Sequence, residues 1–155
     1  MYFTITIDGP VMKHILFLCT HNSCRSQMAE GIINQAFKGL VKAFSAGTSP
    51  AGVHPLAVRA MGEIGIDISR NRSKHIDEFS GQRFDLVVTL CGGAAETCPF
   101  TPDQGPRVHF GLDDPTKAQG GEEERLTAFR RSRDEMLEKL VPFVRERLGL
   151  KEASC

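Results

Sequence analysis

Along this chain the apolar positions change period at regular intervals. Ile15–Leu18 is a short unbroken apolar run of strand length, which predicts a buried strand. From Ser26 to Phe37 the period becomes helical, with Met28, Ala29, Ile32, Ile33, Ala36 and Phe37 on one face. Val41–Ser45 reads as a second strand. His54–Ile64 reads as a second helix, with Pro55 in its first turn and Leu56, Ala60, Met61 and Ile64 in register. Phe84–Leu90, "FDLVVTL", is the clearest central strand, and Arg107–Phe110 is a short fourth. Glu122–Leu148 predicts a long C-terminal helix striped by Leu126, Phe129, Met136, Leu137, Leu140, Val144 and Leu148. Pro142 lies inside it and should bend or divide it.

Strands alternating with helices predict an α/β fold, a single domain with a four-stranded parallel sheet and helices on both faces. A chain of 155 residues supplies one core of that size. The domain is expected over residues 12–150. Residues 1–11 read as an N-terminal extension ahead of Met12, or alternatively as an extra edge strand at Tyr2–Ile7. Residues 151–155 read as a short polar tail. Gly120-Gly121 is the expected flexible joint and does not divide domains.

Charge narrows the partners. Nineteen basic and nineteen acidic residues balance, which argues against nucleic acid or a membrane surface held by bulk charge. No stretch approaches a membrane span, and the first residues lack the basic start and apolar core of a signal peptide. A cytoplasmic monomer is the expectation. Five cysteines are many for such a chain, and in a reducing compartment they point to catalysis, redox chemistry or metal rather than to scaffolding.

Cys19 and Arg25 are spaced as C-x5-R in "CTHNSCRS", between a strand and a helix start. Backbone N–H groups of such a loop, together with the helix N-terminus, attract an anion. Arg25 offers a planar fork for two oxygens of a tetrahedral oxyanion. A thiolate at Cys19 is then a nucleophile aimed at the central atom. Thr20, His21, Asn22, Ser23, Cys24, Arg25 and Ser26 complete the candidate binding loop. Within it, Ser26 is placed to donate to the thiolate and Asn22 to brace the loop. His21 reads either as a base or as a rim side chain. "GLDDP" supplies Asp113 and Asp114, and a carboxylic acid there can protonate a leaving oxygen. Asp113 adds a like charge that would help keep one carboxyl protonated.

Cys91 and Cys98 lie seven residues apart in "TLCGGAAETCPF". In a helix that spacing spans about 10 Å, whereas a disulfide needs Cα atoms within roughly 7 Å. The two can bond only if the segment unwinds, which Gly92, Gly93 and Pro99 favour. A zinc site is disfavoured, because the tight C-x2-C spacing and a histidine pair are missing; no metal site is expected. Cys24 is expected to be inessential and Cys155 dispensable.

"FLCTHNSCRSQMAEG" resembles the phosphate loop of the low-molecular-weight tyrosine phosphatase fold, and its fuller form resembles the thioredoxin-coupled arsenate reductases built on that fold. "SAGT", "NRSKHI", "DLVVTLC", "CPFTP", "GLDDP" and "RRSRDEM" follow in family order, so the likeness runs from about Met12 to about Leu148. His21 departs from the Gly common in relatives. The resemblance implies arsenate as substrate and Asp114 as the acid. It also implies a relay in which Cys91 attacks Cys19, Cys98 attacks Cys91, and thioredoxin supplies the electrons, with no tightly bound cofactor. Some relatives hold potassium beside the loop; Asn22 and Glu30 match two of its ligands, while Arg72 and Lys74 stand at the others. An ammonium, that of Lys74, is expected in place of the ion. A phosphatase of the same fold is the alternative. It is disfavoured because Pro115-Thr116-Lys117 carries no aromatic residue for a phenol pocket. A non-enzymatic redox sensor or arsenite-binding protein is a third reading.

Overall fold

A computed structural model of the chain describes residues 12–90 and 104–150. The extension, the tail, and Cys91, Cys98 and Cys155 lie outside the described residues.

Four parallel strands form one sheet in the order β2-β1-β3-β4: β1 Lys13–Cys19, β2 Val41–Gly47, β3 Leu86–Thr89 and β4 Arg107–His109. β1 is central, and its side chains alternate between two apolar layers as the pleat requires. Ile15 and Phe17 join Val41, Ala43, Leu86 and Val88 in the larger layer. Helices α1 (Arg25–Ala36) and α2 (Pro55–Gly62) complete that layer with Leu126 and Phe129 of α3 (Glu122–Glu135) and Val144 of α4 (Val141–Arg147). Leu16 and Leu18 face the other way, toward Ala46, Val87 and the 3-10 turn Ile76–Phe79. There Phe44, Phe79 and Phe84 meet edge-on, with centroids 5.7–5.9 Å apart. Both faces of the parallel sheet are therefore covered.

The register sets where chemistry can happen. Cys19 pairs with Gly47, Leu18 with Thr89, and Thr89 with His109, so all four carboxyl ends lie along one edge. β1 leads on to β2 on one side, and the chain later returns to add β3 on the other. That reversal opens a crevice at the carboxyl end of β1.

The long C-terminal helix bends without breaking. Met136–Leu140 form one widened turn in which the Val141 N–H donates to the Met136 carbonyl. Pro142 is the cause. It has no N–H to give, and in a regular helix its ring would press on the preceding turn. The expected stripe holds at Leu126, Phe129, Met136, Leu140 and Val144, all buried. Leu137 does not belong to it and is 42% exposed, because the widened turn shifts the helical register. Ile64 also leaves its expected face, 37% exposed, since α2 ends at Gly62. Ala36 is exposed at the last residue of α1.

The edge beside β4 is pinned by Gln104, whose carbonyl accepts the Phe84 N–H (2.6 Å) and whose side chain donates to the Phe79 carbonyl (3.1 Å). Gly105 follows at φ +125°, and a Cβ there would lie 2.0 Å from the Phe84 carbonyl oxygen. Gly105→Ala is therefore expected to cost about 2–4 kcal/mol, the upper part of the range for point substitutions. Urea unfolding measures it, and a midpoint unchanged from wild type would show that the strand edge yields freely.

Candidate active site

Cys19 ends β1 and Arg25 begins α1, so the loop between them fills the crevice at the carboxyl edge. Four of its carbonyls are engaged from outside. Thr20 O accepts from Ser49 N (2.8 Å), His21 O from Ala51 N (3.1 Å) and Ser23 O from His54 N (3.0 Å). Asn22 O accepts from Ser73 Oγ (2.6 Å). With these oxygens turned outward, the concave side is left to N–H groups, the arrangement that binds anions. The first turn of α1 carries no acidic residue to oppose one.

Asn22 holds this shape. It is fully buried and is the one described residue other than glycine with a positive φ, +47°. Asparagine tolerates that region, and here both polar atoms of its side chain are bonded. Oδ1 accepts from Gln27 Nε2 (2.9 Å) and Lys74 N (2.8 Å), and Nδ2 donates to Ser26 Oγ (2.8 Å). Ser26 Oγ is in turn 2.8 Å from Cys19 Sγ. Since Asn22 donates into the hydroxyl oxygen, the hydroxyl proton is free to point at sulfur, the polarity that suits a thiolate. Cys19 is 3% exposed and Cys24 is buried with it. Burial pushes the Cys24 thiol up to about 12, against the hydrogen bond from Ser23, so Cys24 stays protonated.

Arg25 lies across the mouth of the loop. Nη1 donates to Leu112 O (3.0 Å), Nη2 is 3.6 Å from Asp114 Oδ2, and Nε is buried with no partner. An oxyanion in the loop would satisfy that orphaned donor. Asp114 accepts from Thr116 N (2.9 Å) and Thr116 Oγ1 (2.7 Å). Burial alone would raise its carboxyl. The two Thr116 hydrogen bonds, with the Arg25 and Lys117 charges, outweigh it and hold the carboxyl below the usual aspartate range. Asp113 is exposed and takes no part in that balance, so the like-charge effect expected from it is not what sets Asp114.

These groups line one cavity of about 130 Å³: Cys19, His21, Ser23, Cys24, Arg25, Ala51, Asp114 and Thr116. The loop thus gathers Cys19, Arg25 and Asp114 as the sequence suggests. His21 sits at the rim with Nδ1 3.1 Å from Ser49 O, and it needs no left-handed backbone. Leu90 N donates to Leu18 O (2.9 Å), and Leu90 O accepts from Leu112 N (2.9 Å). The residue before Cys91 is therefore tied to the residue before Cys19 and to the acid loop.

The neighbourhood of Glu30 does not fit a potassium ion. Lys74 Nζ donates to Arg72 O (3.1 Å) and stands 3.9 Å from Glu30 Oε1. Ser45 Oγ donates to Glu30 (2.6 Å). Burial works against both charges, raising Glu30 and lowering Lys74. The Arg72 side chain points away and pairs with Glu78 through two bonds of 2.9 and 2.7 Å. Among the described residues no group of three or more acidic, histidine or cysteine side chains is placed to hold a metal.

Sequence reasoning did not single out Gln27, Ser73 or Gly47. Gln27 Nε2 also donates to Arg72 O (3.1 Å), stitching the loop to residues 71–74. Gly47 lies against the loop so closely that a Cβ would be 2.6 Å from the carbonyl oxygens of both Cys19 and Thr20. Its place in "SAGT", at the end of a strand pairing with Cys19, was the available signal.

Comparison with known proteins gives a consistent result. Residues 14–153 match the family described as "Low molecular weight phosphotyrosine protein phosphatase". The arsenate reductase of Halalkalibacterium halodurans is 53% identical over 131 residues, covering 84% of this chain and 94% of that protein. A solved arsenate reductase in the phosphate-binding state is 31% identical, with a TM-score of 0.68 over 87% of this chain and 98% of that one. A thioredoxin-dependent arsenate reductase from Corynebacterium glutamicum is 27% identical, with a TM-score of 0.60 over 86% of this chain and 63% of that one.

Gly47→Ala is expected to push the loop off its backbone position and weaken oxyanion binding about 100-fold, the usual scale for a displacement near 1 Å. Phosphate protection of Cys19 from alkylation reads this directly. Protection at the wild-type phosphate concentration would mean that the loop does not depend on this contact.

Proposed function

The chain belongs to the low molecular weight phosphotyrosine protein phosphatase family, and on that premise we propose that it reduces arsenate to arsenite through a three-cysteine relay. The observation that carries this reading is the cavity. About 130 Å³, with no Phe, Tyr or Trp side chain in its lining among the described residues, suits an inorganic tetrahedral oxyanion better than an aryl phosphate. Relatives at about half identity carry the same activity by name.

In the proposed reaction the loop N–H groups and Arg25 hold three arsenate oxygens, and the Cys19 thiolate attacks arsenic. The opposite As–O bond breaks, and Asp114 gives its proton so that the oxygen leaves as water. Asp114 gains that proton only with substrate present. The oxyanion draws the Arg25 charge to itself and adds negative charge, and both effects raise the carboxyl from its depressed resting state. The Cys91 thiolate then attacks Cys19 Sγ. The S–S bond forms, and the S–As electron pair stays on arsenic, which leaves as arsenite. The Cys98 thiolate attacks Cys91, releasing Cys19 as a thiolate and leaving a Cys91–Cys98 disulfide. Thioredoxin supplies the two electrons that reopen it. The Leu18–Leu90 hydrogen bond supports the first exchange, since each partner is the residue before one of the reacting cysteines. Cys24, buried and protonated, is a spectator nucleophile. Near the loop, the Lys74 ammonium does what a bound cation does in relatives, anchoring Glu30 and the Arg72 carbonyl behind Asn22.

Arsenate-dependent NADPH oxidation with thioredoxin and thioredoxin reductase tests the relay. Activity should vanish in Cys91→Ser and in Cys98→Ser, and fall about 10²–10⁴-fold in Asp114→Asn. Robust aryl phosphate hydrolysis without arsenate turnover would make this a phosphatase instead. Potassium added at constant ionic strength is expected to leave turnover within about twofold, because the ammonium is covalently present and needs no filling. A several-fold rise would show that a metal cation still binds.

A further inference from the structure

We infer that His54 is a positioning residue for the reaction: as a neutral imidazole it fastens α2 to the substrate loop, and gaining a proton loosens that fastening. The inference rests on three contacts that meet at one residue. Its backbone N–H donates to Ser23 O (3.0 Å), the last loop carbonyl before Cys24 and Arg25. Its side-chain Nδ1 accepts the Leu56 N–H (3.1 Å) and so caps α2. Its ring lies on Phe129 of α3, with centroids 4.8 Å apart and planes 34° apart.

An imidazole nitrogen that accepts a hydrogen bond carries no proton of its own, so the neutral ring holds its hydrogen on Nε2. Protonation puts a hydrogen on Nδ1 as well. That N–H would then face the Leu56 N–H, two donors with no acceptor between them. The cap is lost, and with it the side-chain restraint on the residue that bonds Ser23. Losing an N-cap weakens the start of a helix, and here the loss falls on the segment that holds the substrate loop.

The surroundings favour the neutral ring. Burial against Phe129 leads, and the Arg125 charge from α3 adds to it, while Asp114 from the acid loop works the other way. The net effect places His54 below its ordinary value of 6.5. The sign follows. A base held down in the folded state contributes stability that is present above the unfolded value and is lost as pH falls through the folded one. The contacts should therefore hold at neutral pH and fail on the acid side. Asp114 is held below its own ordinary value of 3.8, which lies on the acid side of the histidine range.

Two variants separate positioning from mere folding. His54→Asn keeps a side-chain acceptor at a favoured cap position but cannot titrate. His54→Ala removes cap and titration together. Single-turnover arsenite formation by pre-reduced enzyme is measured from pH 5 to 8, each variant against wild type at the same pH so that the substrate's own protonation cancels. As pH falls below 6.5 wild type should lose rate along a one-proton limb that His54→Asn lacks, as one titrating imidazole would give. At pH 7.5 His54→Asn should retain rate to within about threefold of wild type, and His54→Ala should fall below it. Long-range ¹⁵N–¹H spectra of wild type at pH 7.5 should show the Nε2–H tautomer. An acid limb unchanged in His54→Asn, or an Nδ1–H tautomer, overturns the inference. If wild type forms no arsenite, the proposed function fails, and the same pH comparison is made with an aryl phosphate, which uses the same loop.

Discussion

The structure depends most on one buried amide. Asn22 sits at a left-handed backbone angle inside the substrate loop, and every polar atom of its side chain is bonded. It orients Ser26, and through Ser26 the sulfur of Cys19. It fixes the backbone of Lys74, and through Gln27 and Ser73 it ties residues 71–74 to the loop. A buried network of this kind is valuable only when complete, because each unsatisfied member costs as much as the bond it lost. Here the network is complete on the protein side. The open donor is Arg25 Nε, buried and without a partner in a side chain that lines the cavity.

A second constraint is the backbone ladder at the carboxyl edge of the sheet. Leu18 O, Leu90 N and O, Leu112 N and O, and Arg25 Nη1 form one run of hydrogen bonds. Strand pairing thereby sets the distances among the nucleophile, the start of the second cysteine segment and the acid loop. Parallel strands place their carboxyl ends together, so among the described residues the Cys19–Arg25 loop, Ala51 and the Asp114–Thr116 turn meet at one crevice. Gly47 and Gly105 serve this geometry, each at a point where a neighbouring backbone leaves no room for a Cβ.

Charge in the site is shared between Arg25 and Asp114. Arg25 is shared between a carbonyl and Asp114, and Asp114 is held ionised by Thr116 and that guanidinium. In the proposed reaction, binding an oxyanion would redistribute the same charges and make the carboxyl a better proton carrier. Cys24 illustrates the opposite case. It lies in the same cavity as Cys19 but is kept neutral by burial, so proximity to the loop alone does not make a nucleophile.

Most of the fold was legible in the residue order. Strands Ile15–Leu18 and Phe84–Leu90, helix Ser26–Phe37 and the long C-terminal helix were readable because burial on one or both faces imposes a period on neighbours in the chain. Cys19 and Arg25 were readable because their chemistry depends on a short spacing, whereas Asp114 was singled out by the family resemblance of "GLDDP". Leu137 was misread because the widened turn before Pro142 changes the helical period, and a strict period cannot represent that. The roles of Asn22's partners Gln27 and Ser73, of Gly47, and of the outward bonds from Ser49, Ala51 and His54 were not readable at all. Apart from the Asn22–Gln27 bond itself, each is a contact between segments far apart in sequence, decided by strand register and by which carbonyl happens to face which amide. Local pattern determined which elements form and which side chains carry reactive groups. Only the packed sheet decided which of those groups share a cavity and how each is charged, because distance and burial are properties of the assembled chain.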